Sequence, residues 1–312
     1  MKFIKVIEKN PVSQLLLRTV RIAYFPFYKK VTKSFRPFTI ASLDETVSEL
    51  AKTGKSFSRF GDGEINIMFR KRSIGFQKYS MGLQKDLLDV ASQENNDVFI
   101  GLPHAFLSTS PDKLLVKSFW WAYVVNNRDN ITNFLNHSHR SYFLDTNFSR
   151  TVTESRSKKT IKRIVTKVRH LWENKRVLVI EGAGTRFGVG NGLFENALNV
   201  SRIIAPSRNA YNVINKIESS AVEFISKQPR KDNFIVLIAL GPTATVLASR
   251  LSSICQSIDI GHFDLQYEYL AMGKYHKTNV PTRYDNEIIN GDHVEDIHDE
   301  GYLEQIVAEI DE

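Results

Sequence analysis

The chain has 312 residues, 42% of them hydrophobic and 24% charged, a globular composition that excludes a disordered or fibrous chain. Its single cysteine, Cys255, excludes an internal disulfide framework and favours a reducing, cytoplasmic setting. No run approaches the roughly 18 apolar residues of a membrane span, and the lysine-rich start lacks the apolar core and cleavage site of a signal peptide.

Net charge is +8, and residues 1–40 carry it, with nine Lys/Arg against Glu8. The remainder balances its bases against its acids. The positive charge therefore belongs to an extension and not to a groove through the fold, which argues against a nucleic-acid partner. Leu15, Leu16, Leu17, Val20, Ile22, Phe25 and Phe27 interleave with those bases, and Pro11 and Pro26 bracket a helix of about four turns. One reading is peripheral contact with the anionic inner face of a membrane; the other is a helix packed on the domain with solvated lysines. After Arg283 there is no Lys or Arg but eleven acids, which reads as a loosely held tail. The expected organisation is a basic amphipathic extension over 1–40, a globular domain over 41–285 and an acidic tail over 286–312.

From Ser42 the pattern turns globular. Residues 43–53 read as a helix with Asp44 and Glu45 at its N-terminal end. A short strand then leads into the turn GDGE. Residues 83–93 read as a helix, VFIGL (98–102) as a buried strand, 112–136 as a helix and SYFLDT (141–146) as a strand. A basic helix over 156–174 is followed by strand RVLVIEG (176–182), a glycine-rich turn and a helix. SRIIAP (201–206) is a strand, a helix runs to about Lys227, FIVLIALG (234–241) is a strand entering a helix from Thr243, and SIDIG (257–261) is a strand. Apolar strands alternating with helices define an α/β fold, Rossmann-like, with a mostly parallel sheet and helices on both faces.

Three constellations can carry chemistry. In GAGTRFGVGN, Gly182, Gly184 and Gly188 would let backbone approach a phosphate, with Thr185, Arg186 and Asn191 beside it and a helix dipole behind. The spacing G-x-G-x-x-x-G is one residue longer than the dinucleotide fingerprint, and Val200, Ser201 and Arg202 stand where a ribose-binding acid is expected. A second strand-to-helix turn, ALGPTAT, offers Thr243 as a helix cap or a ligand contact. In RFGDGE, Asp62 and Glu64 are two apart; in an extended or turn backbone both carboxylates point one way and can hold Mg²⁺ or Mn²⁺, with Arg59 facing a phosphate. In DIGHFDLQYEY, His262 can ligate a metal, Glu268 can act as general base, and Asp264 stands between them as a second acid or a helix cap.

The chain resembles the GT-D-type glycosyltransferases of bacteria at RFGDGE with Ile74-Gly75-Phe76-Gln77 and Tyr79, at GAGTRFGVGNGLFENA, at APSRNAY, at ALGPTATVLA and at DIGHFDLQYEYLAMG, in order across residues 42–275. The resemblance implies one Rossmann-like catalytic domain that takes UDP-sugar donors with Mn²⁺ or Mg²⁺. It assigns the D-x-E motif to Asp62 and Glu64 as metal residues, a histidine and a glutamate six apart to His262 and Glu268, and the nucleotide site to the glycine turn and Asn209. A Ser-Arg-Pro-like segment of the family reads Ser149-Arg150-Thr151 here, so Arg150 is not assigned to the phosphates. The expected reaction is inverting transfer of a sugar to a hydroxyl of a growing cell-surface polysaccharide or glycoprotein glycan. The alternatives are a nicotinamide-dependent oxidoreductase, resting on the glycine turn, and a non-catalytic membrane-surface or polyanion-binding protein, resting on the basic extension.

Overall fold

The structure, a computed structural model, describes residues 20–229, 233–288, 291, 293–296 and 299–311. Nine parallel strands form one sheet: β1 (Thr39–Ile40), β2 (Ser56–Arg59), β3 (Val98–Leu102), β4 (Tyr142–Asp145), β5 (Arg176–Gly182), β6 (Asn199–Ala205), β7 (Phe234–Ala239), β8 (Ser257–Asp259) and β9 (Ile306–Glu309), in the order β1-β4-β3-β2-β8-β7-β5-β6-β9. Alternation along each strand feeds both faces. Leu178 and Ile180 pack with the helices Ile214–Ser226 and Pro242–Arg250, whereas Val177 and Val179 pack on the opposite face with Ile161, Ile164, Trp172 and Phe263. Val98, Ile100 and Leu102 join a third cluster with Leu83, Leu87 and Phe134. The sheet is therefore covered on both faces, and its C-terminal edge is left to bind a ligand. Away from β2 the order runs to β3 and β4 on one side and to β8 and β7 on the other, the crevice where such sheets take ligands.

Local chemistry explains why helix Leu43–Thr53 has its expected bounds. Ser42 and Glu45 form a reciprocal capping box, and Gly54 ends the helix at φ +65°. The helix expected over 112–136 is instead two, Leu114–Asn126 and Arg128–Ser138. Asn127 between them donates its side-chain amide to the Tyr123 carbonyl, and its backbone leaves the helical region at ψ +19°.

Neither expected boundary marks the edge of the packed fold. Most of the helix placed between Pro11 and Pro26 lies outside the described residues, and Pro26 sits in the first turn of a new helix, Phe25–Thr32. Tyr28 of that helix is buried and donates to the Ala105 carbonyl at 2.8 Å, and the Phe25 ring packs against Trp121 with centroids 4.7 Å apart and planes tilted by 46°. At the other end, helix Glu300–Glu304 and β9 close the sheet beside β6. Buried Arg202 of β6 is sealed there by Gln305, which accepts from its Nε at 2.7 Å, and by the Tyr302 ring.

Candidate active site

Arg59 ends β2 and Asp259 ends β8. Arg59 Nε meets Asp259 Oδ1 at 3.1 Å, and a second guanidinium nitrogen reaches the Ser149 hydroxyl. Burial raises the Asp259 pKa while Arg59 opposes the shift. Thr245, on the neighbouring helix, donates to Asp259 Oδ2 at 3.2 Å or to the Arg59 carbonyl at 2.9 Å. Arg59 is therefore braced at the end of β2 by Asp259 and Ser149.

The GDGE segment does not form an extended pair. Asp62 opens helix Asp62–Arg70 with Gly61 as its N-cap, and Glu64 turns back so that its Oε2 accepts the Gly61 N–H at 2.8 Å. Residues two apart on a helix diverge by about 200°, so the premise of two carboxylates pointing one way fails. Of the two, Asp62 is the exposed one. Desolvation by the surrounding protein nevertheless raises its pKa, with the Arg150 guanidinium opposing and the Glu287 carboxylate adding to the rise. Burial pushes Glu64 up to about 7, against the lowering effect of the Gly61 N–H.

Among the described residues no three His, Cys, Asp or Glu side chains converge as a ready-made cation cage. Mg²⁺ and Mn²⁺ sites commonly use one or two carboxylates plus substrate phosphates and water. Asp62 fits that kind of site as a single exposed carboxylate, whereas Glu64 is turned back onto the Gly61 N–H.

Within electrostatic reach of Asp62 lies a cluster centred on Glu287, which sequence reasoning missed together with Lys277 and Glu154, although it named His262 and Arg150. Arg150 donates from both terminal nitrogens to Glu287, at 2.8 Å each, and from Nε to Glu154 at 2.8 Å. Lys277 Nζ meets the same Glu287 at 2.6 Å, and His262 Nδ1 lies 3.8 Å from it. Burial alone would raise Glu287, but Arg150 and the other cations hold it well below the usual carboxylate range. Burial pushes His262 below the ordinary imidazole value, opposed by Glu287. His262 is the N-cap of helix Phe263–Ala271, and its nearest charged partner is Glu287.

Glu268 lies six residues further along that helix, about 9 Å along its axis, in a different neighbourhood. Its Oε1 accepts from Asn191 Nδ2 at 2.8 Å and from Arg283 at 3.1 Å. Asp264 is buried behind it with both oxygens lacking a hydrogen bond and Arg283 Nε 3.6 Å away; burial pushes it up to about 7 despite Arg283. Its burial removes Asp264 from direct contact with any acceptor.

The glycine turn corrects a second expectation, because no α-helix follows it. Gly184, Arg186, Gly188 and Gly190 all have positive φ, which breaks helical continuation, and only a short 3-10 turn at Gly192–Phe194 precedes β6. Gly188 serves packing: a Cβ there would stand 2.6 Å from the buried-side ring of Phe194. Asn191 caps that turn by accepting the Leu193 N–H at 2.9 Å. A strap formed by residues 281–284 and 293–295 covers the turn. The Tyr284 N–H donates to the Gly184 carbonyl at 2.9 Å, and Arg186 donates to the carbonyls of Thr282 and Glu295. A Cβ on Gly184 would stand 3.3 Å from Val294. Gly182 and Thr185 belong to the tight turn itself, closed by the Thr185 N–H on the Gly182 carbonyl. With no helix behind the glycines, the nicotinamide alternative loses its support.

Two further residues expected at the ligand are placed differently. Asn209 sits at φ +54° and accepts the Lys78 N–H at 2.9 Å, tethering the loop that carries Phe76. Thr243 does not cap its helix; Gly241 takes that position, and the Thr243 hydroxyl is buried without a partner.

The match with known proteins agrees with this architecture. The family model for the GT-D glycosyltransferase fold matches residues 57–288. A probable glycosyl transferase, Gly, of Streptococcus gordonii is 31% identical over 277 residues, covering 88% of this chain and 39% of the relative. The glycosyltransferase GlyD of Streptococcus pneumoniae is 32% identical over 277 residues, covering 87% and 32%. The chain therefore spans well under half the length of these curated relatives. A solved domain described as having a distinct glycosyltransferase fold is similar with a TM-score of 0.81 and 28% identity, over 92% of this chain and 100% of that one. A glycosyltransferase from Streptococcus sanguinis gives a TM-score of 0.79 and 30% identity, over 88% and 100%. The chain belongs to the GT-D glycosyltransferase family.

Proposed function

We propose that this chain transfers a sugar from a UDP-sugar to a hydroxyl of a growing glycan, with inversion and with a divalent cation. The observation that carries the reading is one exposed carboxylate, Asp62, facing Arg150 at the C-terminal edge of the sheet, with Arg59 and Lys277 near by on the same edge. A metal–diphosphate leaving group needs a carboxylate on its cation and guanidinium or ammonium groups on its remaining charge. Asp62, with substrate phosphates and water, would hold Mn²⁺ or Mg²⁺, which when bound would offset negative charge on the departing nucleotide.

The protein's own groups supply the rest. Asn191 and Arg283 fix one oxygen of Glu268 and leave Oε2 to take a proton from the acceptor hydroxyl. As that oxygen bonds to the anomeric carbon, the bond to the diphosphate breaks, and a single displacement inverts the centre. Asp264 and Arg283 position Glu268 from behind. An NMR assignment of the product's anomeric configuration tests the step; a retained configuration would overturn it.

The proposed acceptor is a cell-surface polysaccharide or a glycoprotein glycan. No helix among the described residues is long and apolar enough to cross a membrane. Helix Phe25–Thr32 exposes Phe27 beside Lys29 and Lys30 while Tyr28 faces inward, which supports peripheral contact of residues 1–40 with the cytoplasmic face of a membrane.

A further inference from the structure

We infer that Arg150, Lys277 and His262 form an anion subsite for the phosphates of the donor, and that Glu287 is its internal occupant, displaced when the donor binds. The inference rests on the UDP-sugar reading above and names the part of the site that takes the diphosphate. Three basic side chains from separate segments converge on one carboxylate: Arg150 with a bidentate grip at 2.8 Å, Lys277 at 2.6 Å and His262 at 3.8 Å. A planar guanidinium fork matched to two oxygens is also the geometry that grips a phosphate. Glu287 belongs to no helix or strand; it follows residues 281–284, the first part of the strap that covers the glycine turn. Its backbone is held locally, by its N–H on Asp285 Oδ1 at 2.8 Å, so the side chain can leave while the strap's other anchors stay. Those anchors are Tyr269 on Asp285 at 3.0 Å and Arg283 on Glu268. Asp62, the exposed carboxylate, is within electrostatic reach of both Arg150 and Glu287, so an anion replacing Glu287 would lie beside the proposed cation position.

The displaced carboxylate competes with the incoming anion, so neutralising it should tighten anion binding. The test is calorimetric titration of the full chain and of Glu287→Gln with inorganic pyrophosphate and, separately, with UDP, both with Mn²⁺, after thermal melts establish that the variant folds. The expected result is pyrophosphate and UDP affinity raised about tenfold in Glu287→Gln, about 1.4 kcal/mol. Pyrophosphate binding unchanged or weakened by the substitution overturns the inference, whatever UDP does. Tighter pyrophosphate binding with no UDP bound by either protein keeps the anion subsite and removes the nucleotide reading. Should Glu287→Gln fail to fold, Lys277→Gln replaces it: Lys277 is partly exposed, and its loss should weaken pyrophosphate binding several-fold, with unchanged affinity overturning the inference.

Discussion

Arg59 and Asp259, 200 residues apart, meet at 3.1 Å across the C-terminal ends of two adjacent parallel strands, and Gly261 leaves the space the guanidinium fills. A Cβ at Gly261 would stand 2.6 Å from Arg59 Nη1, in a backbone at φ +55°. Gly261→Ala should therefore cost about 1–2 kcal/mol in backbone strain and push Arg59 off its partners. The expected outcome is a thermal midpoint a few degrees lower and donor turnover reduced at least about tenfold, a further 1.4 kcal/mol in the barrier. Thermal melts and UDP release on the same preparation check both.

Glu64→Gln should act on stability and not on function. The folded state raises Glu64 from the ordinary carboxyl value to about 7, so the folded protein holds its proton more tightly than the unfolded chain does. That group's contribution to stability falls as pH rises from about 4.5 to about 7. An amide oxygen still accepts the Gly61 N–H. At pH 8 the variant should melt at or above the wild-type midpoint, with metal-dependent turnover little changed because Glu64 is turned away from Asp62. A large loss of thermal midpoint at pH 8 would contradict the assignment.

His104, just after β3, joins Asp145 at the end of β4 to Asp112 in the loop before helix Leu114–Asn126, with Nδ1 2.7 Å from Asp145 and Nε2 2.9 Å from Asp112. Burial would depress its pKa, but the two carboxylates outweigh it and push it up to about 11. A folded value above the unfolded one of about 6.5 gives stability that is complete below pH 6.5 and is lost as pH rises towards 11. His104→Ala leaves two buried carboxylates unpaired and should cost about 3 kcal/mol at pH 6. The difference in unfolding free energy between the two proteins, measured by urea denaturation, should shrink steadily from pH 6.5 to 10.

Removing residues 299–312 should destabilise the sheet and not merely trim a tail. The deletion uncovers β6 and strips Gln305 and Tyr302 from buried Arg202, whose remaining side-chain partner, Glu181, is buried with it at 2.7 Å. The expected result is a thermal midpoint lowered by several degrees and a tendency to self-associate through the bared edge. Size-exclusion chromatography and thermal melts check it.

What could be read in advance followed local rules. β3 was legible because Val98–Leu102 is a continuous apolar run, and helix Leu43–Thr53 because Ser42, Glu45 and Gly54 mark its ends. The GDGE segment was misread because its two glycines suggest a turn, while Glu64 three residues after Gly61 is the signature of a capped helix start. The glycines after β5 suggested a phosphate turn entering a helix; their positive φ values serve the strap and the Phe194 ring instead. β9 carried a missed signal, since Ile306, Ala308 and Ile310 alternate with Val307 and Glu309 inside an acidic segment. The Arg150–Glu287 pair had no local signal, because its partners are 137 residues apart and neither periodicity nor motif links them.

The central claim is metal-dependent use of a UDP-sugar through Asp62. The most direct measurement is UDP release from a panel of UDP-sugars, with Mn²⁺ or with EDTA, by the wild type and by Asp62→Ala. The account predicts release from one sugar that requires the metal and is abolished in Asp62→Ala, whose thermal midpoint should be little changed because the carboxylate is exposed. A wild-type chain that neither releases UDP nor binds it by calorimetry, or an Asp62→Ala variant that works as well as wild type, would contradict it.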